Sequence, residues 1–251
     1  MRQPDSSDRG GSLRRIRRPK GVLLDYGGTL LEEVGYDLRA GTAALLAHAT
    51  HLAAGVTLDV VVDRAKRVSR ELAARRDQFG IETPWPALTR LIHDYFGTRF
   101  GVPMDVLELA FWDASVATRP MPGARAGLDA LHAGGVPLAV LSNSTFGAPT
   151  IHHDIAKHGL ADHLQFVMVT ADYVVRKPSA LLFETAAARL GVAPRDIWFV
   201  GDRLDTDVAG ARAAGMVAVW LRPPNAAPSD APDLTVDDWA QLQRVFEASE
   251  P

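Results

Sequence analysis

Four places in this 251-residue sequence gather side chains suited to polar chemistry. Asp25-Tyr26-Gly27-Gly28-Thr29-Leu30 sets a carboxylate directly after the apolar run Val22, Leu23, Leu24, with two glycines close behind it. Ser142-Asn143 follows a second apolar run at 136–141 and offers a hydroxyl and an amide as hydrogen-bond donors. Lys177-Pro178 supplies one ammonium just ahead of a helical pattern. Gly201-Asp202-Arg203-Leu204-Asp205-Thr206-Asp207 follows a third run at 197–200 and carries three carboxylates, whose hard oxygens suit Mg2+.

The elements that must position these groups can be read from the same runs. Short apolar stretches bounded by polar residues and glycines are the pattern of strands buried on both faces. Five occur, at 22–24, 136–141, 166–170, 197–200 and 216–221, with helical stretches between the later ones. Pro178 is read as opening one helix that Gly191 closes, and Gly215 as closing the next. Strand and helix in alternation predict an α/β fold, a doubly wound parallel Rossmann-like sheet, with a last helix over 237–247 packed outside. Polar groups just beyond strand ends then stand at the carboxyl edge, where open α/β sheets bind ligands.

Between the first run and the second, residues 36–118 show no convincing strand. Val61, Ala65, Val68 and Leu72 fall at helical spacing, with Arg64, Arg67, Arg70, Arg75 and Arg76 around them. Pro84, Pro86, Gly101 and Pro103 punctuate the rest. The domain plan is therefore a basic tail at 1–20, a core made of 21–35 plus 119–251, and an inserted all-helical cap domain at 36–118, placed as a lid. Phe79, Trp85, Tyr95, Phe96 and Trp112 are assigned to the cap's own core.

The formal net charge of −3 gives no global reason to expect nucleic-acid or membrane binding. Charge is uneven, however. Residues 1–20 hold seven Arg or Lys against two Asp, +5, which leaves −8 on the remaining 231 residues. That tail is almost free of apolar side chains and is expected to be disordered. The absence of cysteine excludes disulfides and thiolate metal sites and fits a cytoplasmic location. No run of 18 apolar residues and no secretory leader pattern is present, so a soluble, unexported protein is expected.

Taken together, the four polar motifs resemble those of the haloacid dehalogenase superfamily over about residues 21–221. Asp25 and Thr29 match the first motif, Asp-x-Asp-x-Thr, Ser142 the second, Lys177 the third and the Asp202 to Asp207 cluster the fourth. The resemblance implies a Mg2+-dependent phosphatase acting on a small phosphorylated metabolite. In that reading Asp25 attacks phosphorus to give an aspartyl-phosphate, which water then hydrolyses. Gly28, Thr29, Ser142, Asn143 and Lys177 would hold the phosphate, Lys177 by neutralising its charge. Asp25, Asp202, Asp207 and the backbone carbonyl of Gly27 would hold the metal.

The sequence departs from the family at Gly27, where phosphatases carry the carboxylate that protonates the leaving group. Such a group contributes roughly 10²- to 10⁴-fold. Glu32 and Glu33 are near enough in sequence to stand in for it, although solvated surface glutamates are the plainer reading. The departure leaves two alternatives: a pseudo-enzyme that binds a phosphorylated ligand without turnover, and a carbon–phosphorus hydrolase similar to phosphonoacetaldehyde hydrolases, with Lys66 forming a Schiff base. Metal-free dehalogenation is disfavoured by the acidic cluster. His152 and His153 are adjacent on a helix and face apart, which argues against a shared metal. Oligomeric state and the identity of the substrate are not legible.

Overall fold

The computed structural model describes residues 17–250. In chain order its elements are β1 (Gly21–Leu24), β2 (Leu31–Tyr36), α1 (Leu38–Leu46), β3 (Ala49–His51), α2 (Leu58–Phe79), α3 (Trp85–Tyr95), β4 (Arg99–Phe100), α4 (Met104–Ser115) and β5 (Val116–Pro120). Then follow α5 (Ala124–Ala133), β6 (Leu138–Ser142), α6 (Ala148–Lys157), β7 (Leu164–Val169), α7 (Ala180–Leu190), β8 (Ile197–Gly201), α8 (Ala209–Ala213), β9 (Val217–Leu221), β10 (Leu234–Val236) and α9 (Trp239–Ala248).

Six strands form one parallel sheet in the order β10-β9-β8-β1-β6-β7. Side chains alternate across it. Val22 and Leu24 of β1, with Leu138, Val140, Trp198 and Val200, join one core beneath α5, α6 and α9. Leu23, with Ala139, Leu141, Ile197 and Phe199, joins the other beneath α7 and α8. Two buried faces explain why these strands read as unbroken apolar runs. From β1 the chain proceeds to β6 and β7 on one side and then crosses to β8 on the other, so β1 borders the switch point where ligand crevices open.

Four helices, α1 to α4, pack on one another away from this sheet, around Leu45, Trp85, Leu107 and Phe111 and around Val61, Ala65, Val68 and Ile92. The expected spacing on α2 thus marks its buried stripe. Thr57 caps that helix by accepting from Val60 N, and Gly80 ends it in the left-handed conformation.

Several expectations need correction. A two-stranded antiparallel ribbon, β2 with β5, carries the chain out to the helices and back. It escaped notice because most of β2 is exposed and reads as polar, its stability coming from pairing instead of an apolar face. Short β3 and β4 also pair within the helical segment, and β10 adds a three-residue edge to the main sheet. Pro178 does not open α7, which begins at Ala180, although Gly191 does close it. Phe79 and Tyr95 are exposed, Trp85 is buried among the helices, and Trp112 is buried in the core of the main sheet instead. The disorder expected of the tail spans residues 1–20, of which 1–16 lie outside the described residues. Its last residues are held: Arg18 N donates to Glu250 O at 2.7 Å, its guanidinium covers the Phe246 ring, and Lys20 pairs with Asp196. Among the described residues no helix is long and apolar enough to cross a membrane.

Candidate active site

Parallel strands ending at one edge bring the distant motifs together. Asp25 leaves β1 with its backbone N–H donating to Val200 O of β8 at 2.9 Å. Lys177 arrives from the loop after β7, 152 residues along the chain, and its Nζ lies 2.7 Å from Asp25 Oδ1. The same ammonium lies 2.6 Å from Asp207 Oδ1 and 3.1 Å from Leu141 O, the last bond fixing it to the end of β6. Asn143 holds the Lys177 backbone from both sides, accepting from its N–H at 2.9 Å and donating to its carbonyl at 3.3 Å.

Asp202 and Asp207 reach the cluster from the turn after β8. Residues Leu204–Val208 form a single π-helical turn, a departure common at functional sites, and it folds Asp207 back so that Oδ2 accepts from Arg203 N at 3.1 Å. Asp25, Asp202 and Asp207 each present a carboxylate oxygen within 4.8 Å of the others. Asp202 Oδ1 is buried with no hydrogen-bond partner among the described residues. Three clustered carboxylates against one ammonium leave excess negative charge in a low-dielectric place. Burial, then Asp25 and Asp207, push the Asp202 carboxyl up to about 7. Burial tends to lower the Lys177 ammonium, but Asp207 and Asp25 outweigh it and hold it above its ordinary value. Hard oxygens, surplus negative charge and an unpaired carboxylate oxygen fit a small divalent cation.

The two glycines of the first motif differ in what they permit. Gly28 has φ +73°, and a Cβ there would lie 2.6 Å from Asp202 Oδ2. Gly27 has open space where its Cβ would project. Gly28 does not offer its N–H to a ligand, since that group donates to Leu31 O at 2.8 Å; its lack of a side chain admits Asp202. Thr29 is also corrected as a phosphate contact. It is fully buried, away from the cleft, with its carbonyl accepting from Trp239 Nε1. Ser142 and Asn143 do line the cleft, together with Asp25, Gly27, Lys177 and Asp207.

Of the acid candidates, Glu32 is paired with Arg119 at 2.7 Å. Glu33 lines the cleft and has no ion pair among the described residues. Lys66 is exposed on α2 and does not line the cleft. His153 pairs with Asp113 and belongs to no metal-like group.

Sequence reasoning missed two struts that seat the helical layer on the sheet. Glu82, buried, accepts from Thr170 Oγ1 at 2.7 Å and bonds the Arg176 guanidinium, beside Lys177. Asp154, wholly buried on α6, accepts from Tyr26 Oη at 2.8 Å, Trp112 Nε1 at 3.1 Å and Thr118 Oγ1 at 2.9 Å. It therefore ties the residue after Asp25 to α4 and β5. The only advance signal was a charged residue inside an otherwise apolar helical stripe.

The haloacid dehalogenase-like hydrolase family model matches residues 19–215, a span containing Asp25, Ser142, Asn143, Lys177, Asp202 and Asp207. The chain belongs to that family. Among its relatives, phosphoserine phosphatase from Thermus thermophilus is 39% identical over 130 residues, 50% of this chain and 49% of that protein. Phosphoglycolate phosphatase from Neisseria meningitidis is 30% identical over 208 residues, 81% of this chain and 80% of the relative. The match is partial for several relatives: the chain spans 49%, 40% and 51% of the length of three of them. The fold is shared with a HAD phosphatase from Thermococcus onnurineus, at TM-score 0.63, 21% identity, and 92% and 100% coverage of the two chains. It is also shared with 2-haloacid dehalogenase from Pseudomonas syringae pv. Tomato, at TM-score 0.58 and 22% identity, covering 91% and 98%.

Proposed function

We propose that this family member hydrolyses phosphate monoesters of small metabolites. The observation that carries the reading is the buried meeting of Asp25 with Lys177, beside Asp202 and Asp207. A lone nucleophilic carboxylate would be repelled by a phosphate dianion, and a fixed ammonium lowers that barrier. An Asp25 oxygen forms a bond to phosphorus while the ester P–O bond breaks and the alcohol oxygen leaves with the electron pair. Water then attacks phosphorus, the Asp25–P bond breaks, and inorganic phosphate and the free carboxylate return. Lys177 holds Asp25 and the phosphoryl oxygens in register, and Ser142 donates to one of those oxygens.

In this reading Asp25, Asp202 and the Gly27 carbonyl hold Mg2+. When bound, the cation supplies charge neutralisation for the approach of two anions. Asp207 is close enough to take part, but its two oxygens already accept from Lys177 and Arg203, so its first role is to orient Lys177. Glu33, which lines the cleft, is the candidate substitute for the acid absent at Gly27. The segment 36–118 serves as the cap over a core of 21–35 and 119–251, seated by Glu82 and Asp154. The relatives' names, phosphoserine, phosphoglycolate and glyceraldehyde 3-phosphate phosphatase, support the substrate class.

A phosphate-release screen over metabolite phosphates, with Mg2+ and with a chelator, tests this directly. Mg2+-dependent release that disappears in Asp25→Asn is expected. Binding of phosphate esters without release would replace the reading with that of a ligand-binding pseudo-enzyme, and activity retained in Asp25→Asn would remove the covalent step.

A further inference from the structure

Beside the catalytic cleft lies a second, partly open cavity of about 230 Å³, set among α1, α2, α3 and α4. Arg76, Thr145 and Phe146 line both spaces, so the two adjoin at these residues. The other walls include the buried apolar side chains Leu45, Val61, Ala65, Ile92 and Phe111. Cores normally close such space by side-chain packing, because an unfilled apolar volume forfeits contacts on every side. A dry apolar cavity of about 150 Å³ takes a benzene-sized guest, so this one has room for a ring with a few more atoms.

The polar groups of the cavity narrow the choice further. No carboxylate lines it, and its one permanently charged group, Arg76, also lines the catalytic cleft. His93 and Thr89 line it and are buried, and His93 Nδ1 has no hydrogen-bond partner among the described residues. Burial holds the His93 imidazole neutral, its pKa lowered to about 4. A second anionic group carried deep into this space would lose its hydration and meet no counter-charge. A neutral hydroxyl or carbonyl is desolvated there at far smaller cost.

We infer that this cavity receives the alcohol portion of the ester, and that the preferred substrates are monophosphates of compact, uncharged alcohols built on one ring or a branched aliphatic skeleton. The inference rests on the phosphatase reading for its reaction, but binding of the alcohol does not. With the phosphate held by Lys177 and Ser142, the organic part passes Arg76 and Phe146 and fills the space between the helices. Small esters that carry a second anionic group, such as phosphoglycolate, then leave the cavity empty and gain nothing from it.

The test compares benzyl phosphate, methyl phosphate and phosphoglycolate on the Mg2+-loaded full chain and on two cavity-filling variants, Ala65→Phe and Ala73→Leu. Benzyl alcohol binding is followed in parallel by tryptophan fluorescence, since Trp85 lines the cavity. The expected result is a kcat/KM for benzyl phosphate at least tenfold above that of either other ester. That ratio should fall at least tenfold in a variant that keeps its native circular dichroism, chiefly through KM, and saturable benzyl alcohol binding should be lost with it. Phosphoglycolate or methyl phosphate as the better substrate, or a ratio unmoved in both variants, would overturn the cavity assignment and leave the phosphatase reading standing. If no ester is turned over, the phosphatase reading fails separately. Benzyl alcohol binding abolished by the variants then still supports the cavity, and its absence in the wild-type protein refutes it.

Discussion

Asp202 occupies the space that a side chain on Gly28 would need, its Oδ2 standing 2.6 Å from where that Cβ would be. The left-handed φ of +73° at Gly28 adds a second reason for glycine. Gly28→Ala is therefore expected to cost roughly 1–3 kcal/mol and to displace Asp202 from Asp25. Gly27→Ala meets open space at an ordinary φ and should stay within about 1 kcal/mol of the parent, the usual penalty range for a tolerated glycine change. Urea midpoints of the two variants check the contrast, and equal losses would contradict it.

The same crowding of carboxylates makes Asp202 a liability without a cation. Its unpaired Oδ1 and its proximity to Asp25 and Asp207 oppose folding, so Asp202→Asn should raise the melting temperature in a chelator. A ligand that binds only the folded state stabilises by about 2.7 kcal/mol at a hundredfold excess over Kd. Mg2+ should therefore raise the melting temperature of the parent protein and leave that of Asp202→Asn nearly unchanged. Equal Mg2+ responses in the two proteins would locate the cation elsewhere.

His93 gives the helical layer its own pH response. Its folded pKa of about 4, lowered by burial against a small opposing effect from Asp94, lies below the ordinary 6.5 of an exposed histidine. The unfolded chain therefore takes up this proton more readily than the folded one. The associated stability is complete above pH 6.5 and is lost as the pH falls from 6.5 towards 4, on the order of 1–3 kcal/mol in all. Denaturation at pH 7.5 and pH 5 should show a larger loss for the parent than for His93→Gln. Parallel losses would mean that His93 is hydrated in the folded state.

What could be read in advance divides along a physical line. Strands β1, β6, β8 and β9 were legible because both faces are buried, which leaves uninterrupted runs such as Ile197 to Val200. Given a parallel sheet, the approach of Asp25 and Lys177 from 152 residues apart follows from strand ends sharing one edge. Gly28 and Thr29 were read as phosphate contacts because motif position does not reveal that one N–H is already bonded to Leu31 and one hydroxyl is enclosed. Asp154 and Glu82 were illegible for a further reason. Each collects partners from several elements, and only the assembled fold identifies a buried carboxylate with Tyr26, Trp112 and Thr118 around it.

The lost carboxylate at Gly27 leaves a kinetic signature. Without a well-placed acid, the leaving oxygen departs with most of its negative charge, so rates should depend steeply on leaving-group pKa. Aryl and acyl phosphates should be turned over far faster than alkyl phosphates by a protein lacking any substitute. Glu33 lines the cleft without an ion-pair partner among the described residues, and Glu33→Gln should steepen the dependence further if it supplies part of that proton. Because the Gly27 Cβ position is open, Gly27→Asp places its first side-chain atom with no neighbour within 4 Å. It should accelerate alkyl esters more than aryl esters, by roughly 10- to 100-fold in relative terms, a fraction of the usual general-acid contribution. The informative quantity is the slope of log kcat/KM against leaving-group pKa in the parent, Glu33→Gln and Gly27→Asp proteins. A shallow slope in the parent, with chemistry rate-limiting and unchanged by either substitution, would show that another group already delivers the proton and that Gly27 is no deficit.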